Sequence, residues 1–125
     1  METIISILTE AADEIDTELG YPEKCYQQYL LVRLRQECFN AQKEVHVYYH
    51  ANEIMFGNGR IDLLVTTPEL TVIIELKANV FTHEKSLNQL KRYLVHYKKK
   101  TPKLVGILAM YNTDSPLEIT IEEAQ

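Results

Sequence analysis

Apolar side chains recur at helical spacing through the start of the chain, at Ile4, Ile5, Ile7, Leu8, Ala11, Ala12 and Ile15, with acids on the opposite face. The pattern predicts an amphipathic helix over residues 3–18. Gly20 suits a left-handed C-cap after it, and Pro22 suits the first turn of a second helix running to about Asn40. The period then changes. Val45, Val47 and Tyr49 alternate with Glu44, His46 and Tyr48, which reads as a strand over 43–50. A short strand segment is expected at Glu53 to Phe56, followed by a turn at Gly57-Asn58-Gly59. Two strongly apolar strands come next, 60–67 and 70–77, joined across Pro68-Glu69. A helix is predicted over 83–99, with Leu87, Leu90, Leu94 and Tyr97 as its core stripe. Residues 103–111 return as a strand, and 117–121 add a short edge strand. The order α-α-β-β-β-α-β implies an α+β layered domain, a central mixed sheet flanked by helices, with the last long strand reached by a helical crossover.

Against that background a polar triplet stands out. Asp62 lies in the strand Arg60-Ile61-Asp62-Leu63-Leu64-Val65, and Glu75 and Lys77 lie in Thr71-Val72-Ile73-Ile74-Glu75-Leu76-Lys77. Strand side chains alternate faces, so Glu75 and Lys77 point the same way. If Thr67 pairs with Leu70 across a two-residue loop, Asp62 falls directly opposite Glu75. Two carboxylates and an ammonium then share one patch, for which a divalent cation is the natural partner. The rival reading is a structural cluster, in which Lys77 or Arg60 answers the acids as ion pairs.

Bulk properties narrow the classes. The 125 residues make one domain, 1–125, with room for a single core. A formal net charge of -5 argues against a general nucleic-acid coat protein, while leaving room for a local basic surface. The longest apolar runs are strand-length, so no membrane span is expected, and a start bearing Glu2 and Glu10 lacks the basic region of a secretory signal. Cys25 and Cys38 lie in what reads as one helix, face different directions and lack zinc spacing. A reducing, intracellular setting is the expectation.

Other polar residues gain meaning from their position. Glu23 opens the second helix, where the helix dipole favours a carboxylate by about 0.3–1 kcal/mol. It also shares a face with Tyr26, Leu30 and Leu34, so it can reach over the sheet edge toward Asp62 and Glu75. Gln89 and Tyr93 are neighbours on the flank of the later helix. Around them lie Lys91, Arg92, His96, Lys98, Lys99, Lys100 and Lys103, a dense basic segment in an acidic chain. Charge runs are usually solvated faces, yet a phosphodiester substrate would need such a segment beside the acids. His46, His50, His83 and His96 show no zinc-protease spacing and read as structural or exposed.

These segments resemble the GxxExxY proteins of the PD-(D/E)XK nuclease superfamily. Gly20-Tyr21-Pro22-Glu23-Lys24-Cys25-Tyr26 matches the name-giving motif. Arg60 to Val65 resembles the family's aspartate strand, Ile74-Glu75-Leu76-Lys77-Ala78 its Glu-x-Lys strand, and Gln89 to Leu94 its Gln-x-x-x-Tyr-Leu helix. The likeness runs over residues 3–112 and departs at Met110-Tyr111-Asn112, where relatives show an Asn-Phe-Gly ending. It implies a restriction-endonuclease-like core and a site in which Asp62, Glu75 and Lys77 are catalytic. It also implies Glu23 as a third metal ligand, Gln89 bordering the site, and Tyr93 packing or binding phosphate.

The resulting expectation is a Mg²⁺- or Mn²⁺-dependent phosphodiester hydrolase, acting on DNA rather than RNA. Asp62, Glu75, Glu23 and the carbonyl of Leu76 would hold the ion, and Lys77 would stabilise developing charge. Lys91, Arg92, Lys98 and Lys99, with Gln89 and Tyr93, would hold the substrate. So small a chain would cleave by shape, dimerise or depend on a partner protein. The alternatives are a catalytically silent nuclease-fold module that binds nucleic acid or a protein, and a purely structural ion-pair network.

Overall fold

The helical period at the start of the chain becomes α1, Glu2–Glu14, which buries Ile4, Ile7, Leu8 and Ala11. The structure is a computed structural model that describes residues 1–79 and 82–124. A 3-10 turn follows at Thr17–Leu19, and Gly20 closes it in the left-handed region (φ 62°, ψ 42°). The expected glycine cap is therefore present, but α1 itself stops earlier, at an extended Ile15. α2 runs Glu23–Gln36 and buries Tyr26, Gln27, Leu30, Leu31 and Leu34. Its end corrects the expected run to Asn40. Cys38 takes a left-handed φ of 64°, its N–H donates to the Arg35 carbonyl, and the Phe39 N–H donates to the Leu34 carbonyl. That is a Schellman stop made without glycine, so no residue type announced it. Cys25 and Cys38 accordingly do not share a helix, and both are exposed free thiols.

Five strands form one mixed sheet in the order β1-β2-β3-β4-β5: β1 Asn40–Ala51, β2 Ile54–Thr66, β3 Leu70–Ala78, β4 Lys103–Tyr111 and β5 Glu118–Glu123. Neighbours are antiparallel except β3 and β4, which are parallel and joined through α3, His83–His96. A parallel pair needs such a crossover. α1 and α2 pack on Leu63, Val65, Val72, Ile74 and Ile107 on one face. α3 sets Leu90 and Tyr93 against Ile61, Leu64, Ile73 and Leu108 on the other. With both faces covered, β3 reads as an unbroken apolar run, and Glu75 is buried within it.

The β1–β2 hairpin departs from expectation. Its turn is Asn52-Glu53, both left-handed (φ 50° and 67°), with Ala51 paired to Ile54. This is the geometry of a two-residue hairpin turn that ordinarily draws glycine. Gly57-Asn58-Gly59, expected as a turn, lies inside β2 and pairs with Val47 to Tyr49. Its glycines serve packing instead: a Cβ on Gly59 would sit 2.6 Å from the Tyr49 hydroxyl and 2.7 Å from the Tyr93 ring. α3 also ends at His96 rather than at 99, which leaves Lys98, Lys99 and Lys100 in the loop before β4.

Both hairpin strands switch faces midway. Ala41 packs on the α1–α2 side but Val47 on the α3 side, and Leu63 and Ile61 differ in the same way. Even spacing would keep each pair on one face. The switch falls at Glu44, which holds a left-handed φ of 55° between the pairs Lys43↔Leu63 and Val45↔Ile61. Beyond it Val45, Val47 and Tyr49 pack on the α3 side, and the ladder register, unbroken at Glu44, shifts between Tyr49 and His50.

Gly59→Ala should cost roughly 1–3 kcal/mol through overpacking against the two tyrosines. Glu53→Gly should raise stability by relieving the left-handed backbone at the turn. Urea denaturation midpoints measure both, and an unchanged midpoint for Gly59→Ala would show that the rings simply move aside.

Candidate functional site

β2 and β3 pair from Thr66↔Thr71 to Leu63↔Ile74 and then part. The turn that sets this register has the Thr67 N–H donating to the Leu70 carbonyl at 2.8 Å, as expected. The next row is Asp62 opposite Glu75. Parting strands strip backbone groups of their ladder partners, which is costly in an interior. Side chains replace those partners. The Asp62 N–H donates to Glu75 Oε1 at 3.3 Å, and the Leu76 N–H donates to Asp62 Oδ2 at 2.8 Å. From α2, Gln27 Nε2 donates to the Asp62 carbonyl at 2.9 Å. From α3, the Tyr93 hydroxyl donates to the Arg60 carbonyl at 3.0 Å and accepts from Gln89 Nε2 at 2.9 Å. Helices from both layers thus hold the fork open.

Electrostatics at the fork are unbalanced. Glu75 is 2% exposed, and Lys77 Nζ stands 3.9 Å from its Oε2, on the same strand face. Burial above all, then the charge of Asp62 and a hydrogen bond with it, push Glu75 from about 4.5 up to about 9; Lys77 offsets only part of this. Burial without full countercharge thus favours the protonated form of Glu75. Glu23 is half-buried in the first turn of α2. Burial raises its carboxyl above the ordinary value, Lys77 opposes the rise, and Asp62 adds to it. Burial, with Glu75 and Tyr49 nearby, pushes the Tyr93 phenol up to about 12.

Glu23 separates two openings. Glu23, Lys77, Ser86, Gln89 and Arg92 line a cleft of about 320 Å³. Glu23, Gln27, Glu44, Asp62 and Leu76 line a smaller one of about 110 Å³. Among the described residues, no three His, Cys, Asp or Glu side chains converge closely enough to hold an ion. The close pair is Asp62 with Glu75, and Glu23 stands back from it. Each acid of the pair gives one oxygen to a backbone N–H, the two carboxyls share a hydrogen bond, and Glu75 Oε2 faces Lys77 Nζ. The Leu76 N–H points into the fork, and in an extended strand the carbonyl of the same residue faces the same side. Such an all-oxygen set, with a buried carboxyl whose ionised form lacks full countercharge, fits the donor chemistry of a hard divalent cation.

The remaining expected residues divide. Gln89 and Arg92 line the larger cleft. Tyr93 is 1% exposed and its hydroxyl donates to the Arg60 carbonyl, the packing role of the two that the resemblance implied. Three lysines are not brought to the carboxylates. Lys91 lies beside Glu122 and Glu123, Lys98 beside His46 and Tyr48, and Lys99 Nζ reaches the Pro102 carbonyl at 3.4 Å. Sequence reasoning missed Gln27. Its signal was a polar residue one turn past Glu23 on the face that buries Leu30 and Leu34.

A profile of the PD-(D/E)XK nuclease superfamily matches residues 2–119. Among solved structures, the crystal structure of SSO0001 resembles this chain with a TM-score of 0.58 at 18% identity, over 81% of this chain and 50% of that one. The chain thus spans about half the length of that protein, and at this identity the likeness concerns the fold alone. No curated protein matches the chain.

The raised Glu75 value fixes the sign of a pH dependence. Its folded-state value of about 9 exceeds an unfolded value near 4.5, so the protonated form stabilises the fold fully below pH 4.5. That contribution is lost as pH rises through about 9. Metal-free protein should lose stability across this window, and Glu75→Gln should flatten the decline. Denaturation midpoints in EDTA across the window measure it; a slope that the variant leaves unchanged would assign the titration elsewhere.

Proposed function

Because the chain belongs to the PD-(D/E)XK nuclease superfamily, we propose that it is a metal-dependent nuclease, hydrolysing phosphodiester bonds in DNA at the Asp62–Glu75 fork. The observation that carries this reading is the buried acidic pair at the parting of β2 and β3, with Lys77 on the same strand face. Within the superfamily, Gly20 to Tyr26 supports membership of the GxxExxY proteins.

Asp62, Glu75 and the Leu76 carbonyl, with Glu23 from α2, would hold Mg²⁺ or Mn²⁺. When bound, the ion lowers the pKa of a water and polarises the phosphate. Lys77 lies 3.9 Å from Glu75 and borders the larger cleft, where its ammonium stabilises charge developing on the phosphate. Gln89 and Arg92 line the same cleft and orient the substrate backbone without reading its bases. Gln27 and Tyr93 act through β2, holding the Asp62 peptide in place. A single small domain leaves specificity to shape, to a second copy or to a partner protein.

The test is cleavage of labelled single- and double-stranded DNA with Mg²⁺ or Mn²⁺. Glu75→Ala should abolish cutting, and Lys77→Ala should slow it by about 10²- to 10³-fold, the range for removing one transition-state donor. Circular dichroism checks that both variants fold. Cutting that survives both substitutions would move the chemistry elsewhere. Absent cutting with retained nucleic-acid binding would favour the non-catalytic module.

A further inference from the structure

Three openings follow one another along α3. The cleft that Glu23 and Lys77 line, beside the fork, is also bordered by Lys85 and Arg92. Arg92 also borders a shallow depression with Asn88 and His96. His96 in turn borders a groove of about 310 Å³ with His46, Tyr48, His50, Lys98 and Lys100. Lys85, Arg92 and His96 are spaced i, i+7, i+11, which puts them on one helix face. At 1.5 Å per residue they span ~17 Å. Among the described residues no carboxylate lines the distal groove, in a chain whose formal net charge is -5.

Aromatic rings stand at the far end. The His96 ring lies 4.9 Å from Tyr49 and 5.9 Å from Phe56, and Phe56 is 63% exposed at the outer hairpin. His46 and Tyr48 present a second, nearly parallel pair of rings 6.1 Å apart, both exposed. Cations beside open ring faces match a strand whose phosphates need countercharge and whose bases are unpaired. A duplex keeps its base faces stacked inside and cannot use the rings. The register shift of the β1–β2 ladder between Tyr49 and His50 falls beside these rings, and the His50 N–H donates to His96 Nδ1 at 3.3 Å.

We propose that this row is a binding track for single-stranded nucleic acid, leading from the rings of the β1–β2 hairpin along α3 to the Asp62–Glu75 fork. It rests on the nuclease reading for what happens at the fork, but not for binding. The experiment is fluorescence anisotropy of the full chain in EDTA with labelled oligo(dT), oligo(U) and a duplex of equal length. Oligo(dT) or oligo(U) should bind more tightly than the duplex, and a preference between them supports the track and names the strand it takes. Phe56→Ala should weaken that binding about tenfold, the loss of one stacked base. Arg92→Glu should weaken it and reduce its salt dependence. Phe56 and Arg92 are exposed, so both variants should melt as the native protein does.

Equal affinity for duplex and single strand would overturn the track, as would native affinity in Phe56→Ala. Failure to bind any nucleic acid would also overturn it and mark the hairpin as a protein contact. Binding without metal-dependent cutting leaves the track standing and sinks the nuclease reading. Metal-dependent cutting of duplex alone does the reverse.

Discussion

Where β2 leaves β3, the Asp62 N–H and carbonyl, the Leu76 N–H and the Arg60 carbonyl lose the partners that a continuous ladder would supply. Each is met by a side chain: Glu75, Gln27, Asp62 and Tyr93 respectively. An unmet buried group costs about 1–3 kcal/mol, so the fork can exist only if all the helices deliver their parts. α2 brings Gln27 on the turn after Glu23. α3 brings Tyr93, itself anchored by Gln89 and seated against Gly59. The layered restriction-endonuclease-like fold is therefore what allows two strands to separate inside a core and hold an acidic pair at their parting.

The same arrangement explains the electrostatics. Glu75 sits in a β3 run covered on both faces, so burial dominates its ionisation, and a single ammonium 3.9 Å away does not offset it. On the opposite side of the sheet, Arg33 Nη2 ties α2 to Glu10 of α1 at 2.6 Å, an exposed ion pair that holds the layer from outside. Of the α3 cations, Lys85 and Arg92 border the cleft that Glu23 and Lys77 line, while Lys91 lies beside Glu122 and Glu123.

Much of this was legible in the sequence, for definite reasons. The apolar runs at 60–67 and 70–77 and the short loop between them set the register that puts Asp62 across from Glu75. Helical spacing located α1, α2 and α3, and Glu23 beside a buried stripe pointed inward. What failed was local chain reversal without glycine. Cys38, Glu44 and Glu53 adopt left-handed backbone that their residue types do not advertise, and Asn52, which tolerates it, precedes a glutamate rather than the usual glycine. The glycines at 57 and 59 drew a turn that belongs to Asn52-Glu53, because room for Tyr49 and Tyr93 is a tertiary demand. Gln27 was hidden for the same reason: its partner lies 35 residues away. The lysine run marked a basic region but not the direction of each side chain.

The fork also changes what its acids mean. Asp62 and Glu75 each bond a backbone N–H, so the architecture would have use for them in a protein that had lost its chemistry. Their presence speaks first to the sheet. Lys77 is different: among the described residues its close contact is the 3.9 Å ion pair, with no backbone group depending on it. In chains of this design, drift in the absence of chemistry would erase the lysine while sparing the carboxylates, so the lysine rather than the acids separates the nuclease proposal from a purely structural fork.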